Sequence, residues 1–265
     1  MEVCYRHPKR ETGVRCSNCE RPICPDCMTS TPVGMRCPEC ARQGATKVRT
    51  MRSLGTDPTL TYVLIAINVV ASLGSSFGGN VGDSGSLTDA GDLSRFSIGS
   101  GDYWTLLTSG FLHINLFHLL SNMLALWILG TMLEPILGRR RFGLVYFVAL
   151  LCGSLGVLLV SPDPSVGASG AVFGLMGAAV VVARSRGLNL MESGLGLWLG
   201  INLLITFTIP HISIGGHIGG LIGGALAAFV LLELGDRRRL PQYVPELLCA
   251  AIGVAAVAVS IAQYG

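Results

Sequence analysis

From residue 58 onward the sequence is a series of apolar runs of about 20 residues separated by short loops, and no other feature limits the fold as much. A water-soluble core does not need repeated runs of that length, whereas a bilayer does. Only 13% of the residues are charged, against about a quarter in soluble domains. The shortfall is uneven: residues 1–57 are polar, basic and rich in cysteine. The runs predict spans at 59–77, 116–135, 142–161, 168–184, 193–210, 214–233 and 245–263. The expected class is an all-α polytopic membrane protein. A net charge of +3 is too small to suggest nucleic acid as a partner. Residues 1–15 hold several charges and no apolar stretch, so no secretory signal is read there and the N-terminus is expected in the cytoplasm.

The loops test that orientation independently. Arg139, Arg140 and Arg141 follow the second run, Arg184 and Arg186 the fourth, and Arg237, Arg238 and Arg239 the sixth. The alternate loops hold Arg95 beside Asp83, Asp89, Asp92 and Asp102, or, between Ser161 and Val166, no basic residue. This is the positive-inside pattern with the C-terminus outside. A six-span reading would leave the last apolar run in water, so seven are expected.

Glycines concentrate where helices would touch: Gly170, Gly174 and Gly177 on the fourth span, and Gly216, Gly220 and Gly224 on the sixth. Spacings of three and four put each set on one face and permit close approach. Ordinary membrane packing explains such stripes, and the polar residues beside them carry the functional signal. Ser169, within Gly167-Ala168-Ser169-Gly170, follows Pro162 and Pro164 and stands at a helix start, where a cap or a site for developing negative charge are both served. His217 lies on the sixth span. An ionisable residue there is costly and implies a cavity or partner; metal, haem and proton relay are alternatives to a general base for Ser169. His118 and Asn122, four apart on the second span, share a face and can both donate hydrogen bonds to an oxyanion. Lined with these polar groups, a cavity could admit the water that hydrolysis needs. His113 is read either as a loop-holding interfacial residue or as part of the chemistry.

Together these residues resemble the rhomboid family of intramembrane serine proteases. The likeness covers Gly-x-Ser-Gly at Gly167–Gly170, His-x-x-x-Asn at His118–Asn122, Gly-His-x-x-Gly-x-x-x-Gly from Gly216 to Gly224, and Leu133-Glu134 followed by Gly138. It implies a six-helix bundle with one additional C-terminal span. It also implies a nucleophile at Ser169, a base at His217, and an oxyanion hole from His118, Asn122 and the Ser169 N–H. Phe173 would stack on His217, Glu134 would be structural, no third acid is needed, and the substrates would be single-span membrane proteins. Where relatives have Trp-Arg in the first outer loop, this chain has Trp104-Thr105, which removes an arginine thought to brace that loop. The same loop is long, glycine-rich and acidic from Gly78 to Gly101, and is expected to be partly mobile.

The head contains Cys4-x-x-His7, Cys16-x-x-Cys19, Cys24-x-x-Cys27 and Cys37-x-x-Cys40. These eight ligands suit two structural, tetrahedral Zn2+ sites. Disulfides are disfavoured in a cytoplasmic segment, and histidine cannot form one. Closed four-ligand sites leave no open position for catalysis. The spacing is similar to B-box zinc fingers, which implies that Cys4, His7, Cys24 and Cys27 share one ion and Cys16, Cys19, Cys37 and Cys40 the other; sequential pairing is the alternative. Cys152 and Cys249 are read as packing residues. The expected organisation is a zinc-binding domain at 1–41, a basic linker at 42–57, the six-span core at 58–235, and a loop with the seventh span at 236–265. The head would dock an unidentified cytoplasmic partner, regulate the enzyme or touch anionic lipid. Two other functions compete with an active protease. A silent relative that escorts membrane proteins would commonly lack Ser169 or His217. A transporter using His118 and His217 as a relay leaves Ser169 unexplained.

Overall fold

The computed structural model describes residues 2–31, 34–44, 57–76, 90–161, 163–189, 192, 194–208, 212–236, 238, 240–241 and 243–265. Most of the basic linker, residues 77–89 of the first outer loop, and Pro162, Arg237 and Arg239 lie outside the described residues. The chain forms two compact units, Met1–Leu54 and Gly55–Gly265.

In the first unit, β1 (Glu2–Val3) pairs antiparallel with β2 (Glu11–Thr12), and β3 (Thr29–Thr31) with β4 (Gly34–Arg36); α1 spans Pro38–Gly44. Its buried hydrophobic cluster is Ile23 together with Cys4, Cys16, Cys24, Cys27, Cys37 and Cys40. That apolar surface is small against the entropy of ordering the chain.

In the second unit, the apolar runs form α2 (Thr59–Ser76), α5 (Leu116–Leu137), α6 (Arg139–Val160), α7 (Ser169–Ser185), α8 (Leu195–Thr208), α9 (Ile214–Phe229) and α10 (Tyr243–Tyr264). Two short helices, α3 (Arg95–Gly99) and α4 (Thr105–Thr108), lie between α2 and α5. A π-helical turn, Val230–Asp236, extends α9. The helices occupy the expected runs to within a few residues. Four are long and apolar enough to cross a bilayer: α5, α6, α9 with its π turn, and α10. The other three, α2, α7 and α8, are shorter. The protein is an integral membrane protein, mostly helical, with a small cysteine-rich unit ahead of the bundle. Helices suit this environment because each satisfies its own backbone polar groups.

The core of the bundle is α9 wedged between α6 and α7. Its glycines form two faces, not one. On the first, an added Cβ at Gly220 would fall 2.0 Å from the Gly170 carbonyl oxygen, and one at Gly224 would fall 2.1 Å from that of Gly174. On the second, Gly215 meets the Gly156 carbonyl at 2.1 Å and Gly219 that of Cys152 at 2.5 Å. Gly153 and Gly156 on α6 complete this contact, and the sequence reading did not single them out.

Two further ties fix the periphery. The buried Glu134 carboxylate on α5 accepts hydrogen bonds from the N–H groups of Leu60 (2.9 Å) and Thr61 (2.7 Å) and from the Thr61 hydroxyl (2.7 Å). An acceptor with negative charge thereby meets the unpaired N–H groups and positive dipole end of α2, the structural role the resemblance implied. On α6, Arg140 pairs with Glu246 of α10 at 2.9 Å, and Arg141 with Asp236 at 3.0 Å.

Gly220→Ala should lower the thermal midpoint in detergent by several degrees, because overpacking costs about 1–3 kcal/mol. Gly200→Ala is the control: nothing lies within 4 Å of its Cβ position. Equal midpoints for the two variants would refute the contact.

Candidate active site

Ser169 is the first residue of α7. The turn before it depends on Gly167, whose φ of +132° is open only to glycine without strain. Gly167 also has no room for a side chain: a Cβ there would lie 2.7 Å from His118 Cε1 and 2.8 Å from its Nε2, with Ser169 Oγ at 3.8 Å. His118 thus faces the serine across a bare backbone. The turn is tied down at two points. The Gly167 N–H donates to the Ser109 carbonyl at 2.8 Å, and the Ala168 N–H donates to His113 Nε2 at 3.5 Å. Since Nε2 of His113 accepts, its Nδ1 carries the proton and donates to Ser72 Oγ, 2.9 Å away on α2. His113 is therefore a buried post holding the serine loop, which resolves its two sequence readings in favour of the structural one.

His118 sits in the first turn of α5, where the Asn115 side chain caps its N–H at 2.8 Å. Its ring meets that of His113 edge-on at 4.9 Å, and its buried Nδ1 has no hydrogen-bond partner among the described residues. Asn122 is one turn on and gives one amide hydrogen to the His118 carbonyl at 2.9 Å. The second amide hydrogen remains for other use.

His217 is buried in the first turn of α9. That turn is capped by the Ser213 hydroxyl, which accepts from the Gly216 N–H at 3.1 Å. Phe173, one turn after Ser169, stacks on the imidazole with centroids 3.9 Å apart and planes inclined by 17°. The Gly216 carbonyl lies 3.3 Å from the Cβ position of Gly170, so the neighbours of Ser169 and His217 touch. Ser169 Oγ and His217 make no hydrogen bond among the described residues; His217 Nδ1 is instead bonded to Thr206 Oγ1 of α8 at 2.7 Å. Thr206 escaped the sequence reading because a lone threonine in an apolar run carries no sign of its direction.

A cavity opens beside Ser169, and its lining includes Ser109, Ser154, Ser165 and Ser213 among glycines and apolar residues. The sequence reading offered His118, Asn122, Ser169 and His217 as lining for such a space; of these Ser169 borders this cavity and the other three are not among its lining residues.

In the first unit the eight expected ligands form two sets. Cys4, His7, Cys24 and Cys27 make one, and Cys16, Cys19, Cys37 and Cys40 the other, each with its ligand atoms within 4.8 Å of one another. This is the cross-braced grouping, not the sequential one. His7 Nδ1 lies 3.8, 3.3 and 3.4 Å from the sulfurs of Cys4, Cys24 and Cys27, and the sulfurs of Cys19 and Cys37 are 3.8 Å apart. Tetrahedral bonds of about 2.3 Å to sulfur and 2.1 Å to nitrogen give edges of roughly 3.6–3.8 Å, so the sets fit a metal ion. Burial pushes the Cys4 thiol up, but backbone hydrogen bonds from Arg6 and Cys24 and the His7 side chain outweigh it and hold it at about 6. Backbone bonds from Cys37, Asn18 and Cys19 likewise outweigh burial and bring Cys16 to about 6.

Residues 100–234 match the Rhomboid domain. The chain belongs to the rhomboid family. It is 37% identical over 213 residues to the Rhomboid protease GluP of Bacillus subtilis (strain 168), covering 78% of this chain and 41% of that relative. It is 33% identical over 149 residues to the Putative rhomboid protease YdcA of the same organism, covering 54% of this chain and 75% of that protein. Inactive RHOMBOID-like protein 8 of Arabidopsis thaliana is also similar, 37% identical over 147 residues, with 53% and 41% covered. The chain thus spans about two fifths of the first of these relatives. The matched rhomboid residues include His118, Asn122, Ser169 and His217, and α10 lies beyond them.

A different arginine, Arg95, ties the first outer loop of this rhomboid to α6. Arg95 Nε donates to the Leu158 carbonyl at 2.8 Å and its guanidinium also reaches that of Leu159 at 3.3 Å, while lying over the Tyr264 ring of α10. Thr105 is buried and donates to the Asp102 carbonyl at 2.7 Å. The described part of the first outer loop is braced from another position.

Gly167→Ala should cost about 1–3 kcal/mol in backbone strain and push the His118 ring away. The expected result is a lower thermal midpoint together with weaker labelling of Ser169 by a fluorophosphonate. Wild-type labelling and stability would show that the turn has room.

Proposed function

We propose that this rhomboid is an active intramembrane serine endopeptidase, with Ser169 as nucleophile, His217 as general base, and His118, Asn122 and the Ser169 N–H as the oxyanion hole. The observation that carries this reading is the junction of α7 and α9, where a serine at a helix N-terminus and a buried imidazole stand on glycine-packed neighbours. In the reaction, His217 Nε2 takes the Ser169 proton as Oγ bonds to the scissile carbonyl carbon. The resulting oxyanion is stabilised by donors and by the N-terminal dipole of α7. Collapse breaks the C–N bond, with His217 returning the proton to the leaving amine, and water then hydrolyses the acyl-enzyme. The cavity beside Ser169, with four further serines in its lining, is suited to supply that water. Removing one oxyanion donor typically costs about 10²–10³ in rate, which sets the scale for changes at His118 or Asn122.

The substrates in this reading are single-span membrane proteins. The basic inner loops support a cytoplasmic N-terminus and an outer C-terminus in a cell membrane. The two ligand sets support structural Zn2+, four-coordinate and closed, which would hold the first unit together without entering the chemistry. That unit, residues 1–41 with the basic linker to 57, would dock a cytoplasmic partner.

Purified protein should cleave a model single-span substrate in detergent, and Ser169→Ala and His217→Ala should each abolish cleavage while leaving the thermal midpoint intact. A wild-type protein that binds several such substrates without cleaving any would favour the silent reading, which the similarity to an inactive relative keeps open. Strong chelation should release about two Zn2+ per chain and unfold the first unit, exposing its thiols to a maleimide. Thiols that react at the same rate before and after chelation would rule the metal out.

A further inference from the structure

Two hydrogen bonds meet at the Thr206 hydroxyl. Thr206 Oγ1 lies 2.8 Å from the Asn202 carbonyl, one turn back on α8, and 2.7 Å from His217 Nδ1. A hydroxyl has one proton to give and a carbonyl can only accept. Both contacts are satisfied together only if the proton points at Asn202, so that Oγ1 accepts from Nδ1–H. A neutral imidazole carries one proton; with that proton on Nδ1, Nε2 holds a bare lone pair. The opposite tautomer would put two acceptors face to face at one of these contacts.

The surroundings reinforce the assignment. Thr206 is the one buried residue of α8 among those described. A helix whose other side chains are exposed or half-buried thus turns a polar group inward, onto the imidazole. Phe173 covers the ring face, and no carboxylate bonds His217 among the described residues.

We propose that Thr206 is a positioning residue for His217, fixing the tautomer in which Nε2 can accept the Ser169 proton. This rests on the assignment of His217 as the base. The hydroxyl does what a carboxylate does in three-residue serine proteases, orienting the ring by its far nitrogen, but without charge.

Wild type, Thr206→Val and Thr206→Ser, as full-length protein in detergent, separate the hydroxyl from the methyl group. Thr206→Val should lower kcat about 10- to 100-fold, the scale seen when a partner orienting a functional histidine is lost, with KM unchanged. Fluorophosphonate labelling of Ser169 should slow in parallel, and Thr206→Ser should restore both. Valine at wild-type rates, or serine as impaired as valine, would overturn the proposal. A second measurement needs neither cleavage nor a stable variant. In wild-type protein with 15N-labelled histidine, assigned by the signal lost in His217→Ala, the nitrogen shifts should report Nδ1 protonated and Nε2 bare. The Nε2–H tautomer would overturn the proposal whatever the kinetics. A protein that shows the Nδ1–H tautomer yet cleaves nothing would sink the protease reading and leave the hydrogen-bond assignment standing.

Discussion

Backbone-to-backbone contact among α6, α7 and α9 is the constraint from which the site follows. The Gly216 carbonyl rests against both Gly153 and Gly170, and a Cβ at either position would meet it at 3.0 and 3.3 Å. In hydrocarbon no hydrophobic force drives helices together, since lipid tails are as apolar as leucine. Association depends on close packing, and packing is closest where side chains are absent. Ser169 precedes one of these glycines and His217 follows another. Their separation is therefore set by main-chain contact, the stiffest distance a helical protein can offer, and a methyl group at Gly170 or Gly220 would press on a carbonyl that cannot yield by rotating.

A second rule governs everything polar in the bundle. A buried polar group away from water is costly unless bonded, and most of those near the site have taken on an architectural duty. Glu134 caps α2. His113 joins α2 to the serine loop. Ser213 caps α9 and lies 3.1 Å from Ser161 Oγ at the end of α6. Each bond crosses between helices or closes a helix end, so polarity near the site also acts as framework. Among the described residues, His118 Nδ1 is buried without a hydrogen-bond partner, as are Asn68 Oδ1 and the Tyr146 hydroxyl elsewhere in the bundle. The edge of the His118 ring turned toward the Gly167 turn is the other one, Cε1 and Nε2.

Seven runs, two glycine stripes and the order of the polar motifs were legible because each is a one-dimensional signal: length, spacing or succession. What was hidden needed three dimensions. Gly153 and Gly156 read as unremarkable small residues until α6 is seen to cross α9. Arg95 is separated by more than sixty positions from the carbonyls it binds, so the missing arginine next to Trp104 looked like a lost brace. Thr206 and Thr208 lie two apart in one apolar run. Which of them faces inward depends on the rotational phase of α8, and an all-apolar helix gives little periodicity from which to read it. The serine cavity was hidden for the same reason, its lining coming from separate segments whose convergence no spacing announces. In the head, spacing identified the ligands but left two pairings open. Those were separated only by which sulfurs meet His7.

That no carboxylate bonds His217 among the described residues has a physical logic. A carboxylate held against an imidazole in a low-dielectric site must lose its hydration, at an effective cost of several kcal/mol even after relaxation. Glu134 escapes that cost because two backbone N–H groups, a hydroxyl and a helix dipole converge on it, with Arg139 nearby at 3.8 Å. Nothing comparable surrounds His217: its neighbours are Phe173, glycines and the apolar run of α8. There a neutral acceptor is the cheaper way to fix a ring, and a threonine back-bonded to its own helix is available without bending any element out of place. In the proposed mechanism the hydroxyl supplies direction, the aromatic face supplies rigidity, and the charge on the imidazolium would be balanced by the oxyanion forming with it. Orientation and charge stabilisation, which one aspartate combines in soluble serine proteases, would in that mechanism be divided between two partners, because a membrane interior tolerates the first far better than the second.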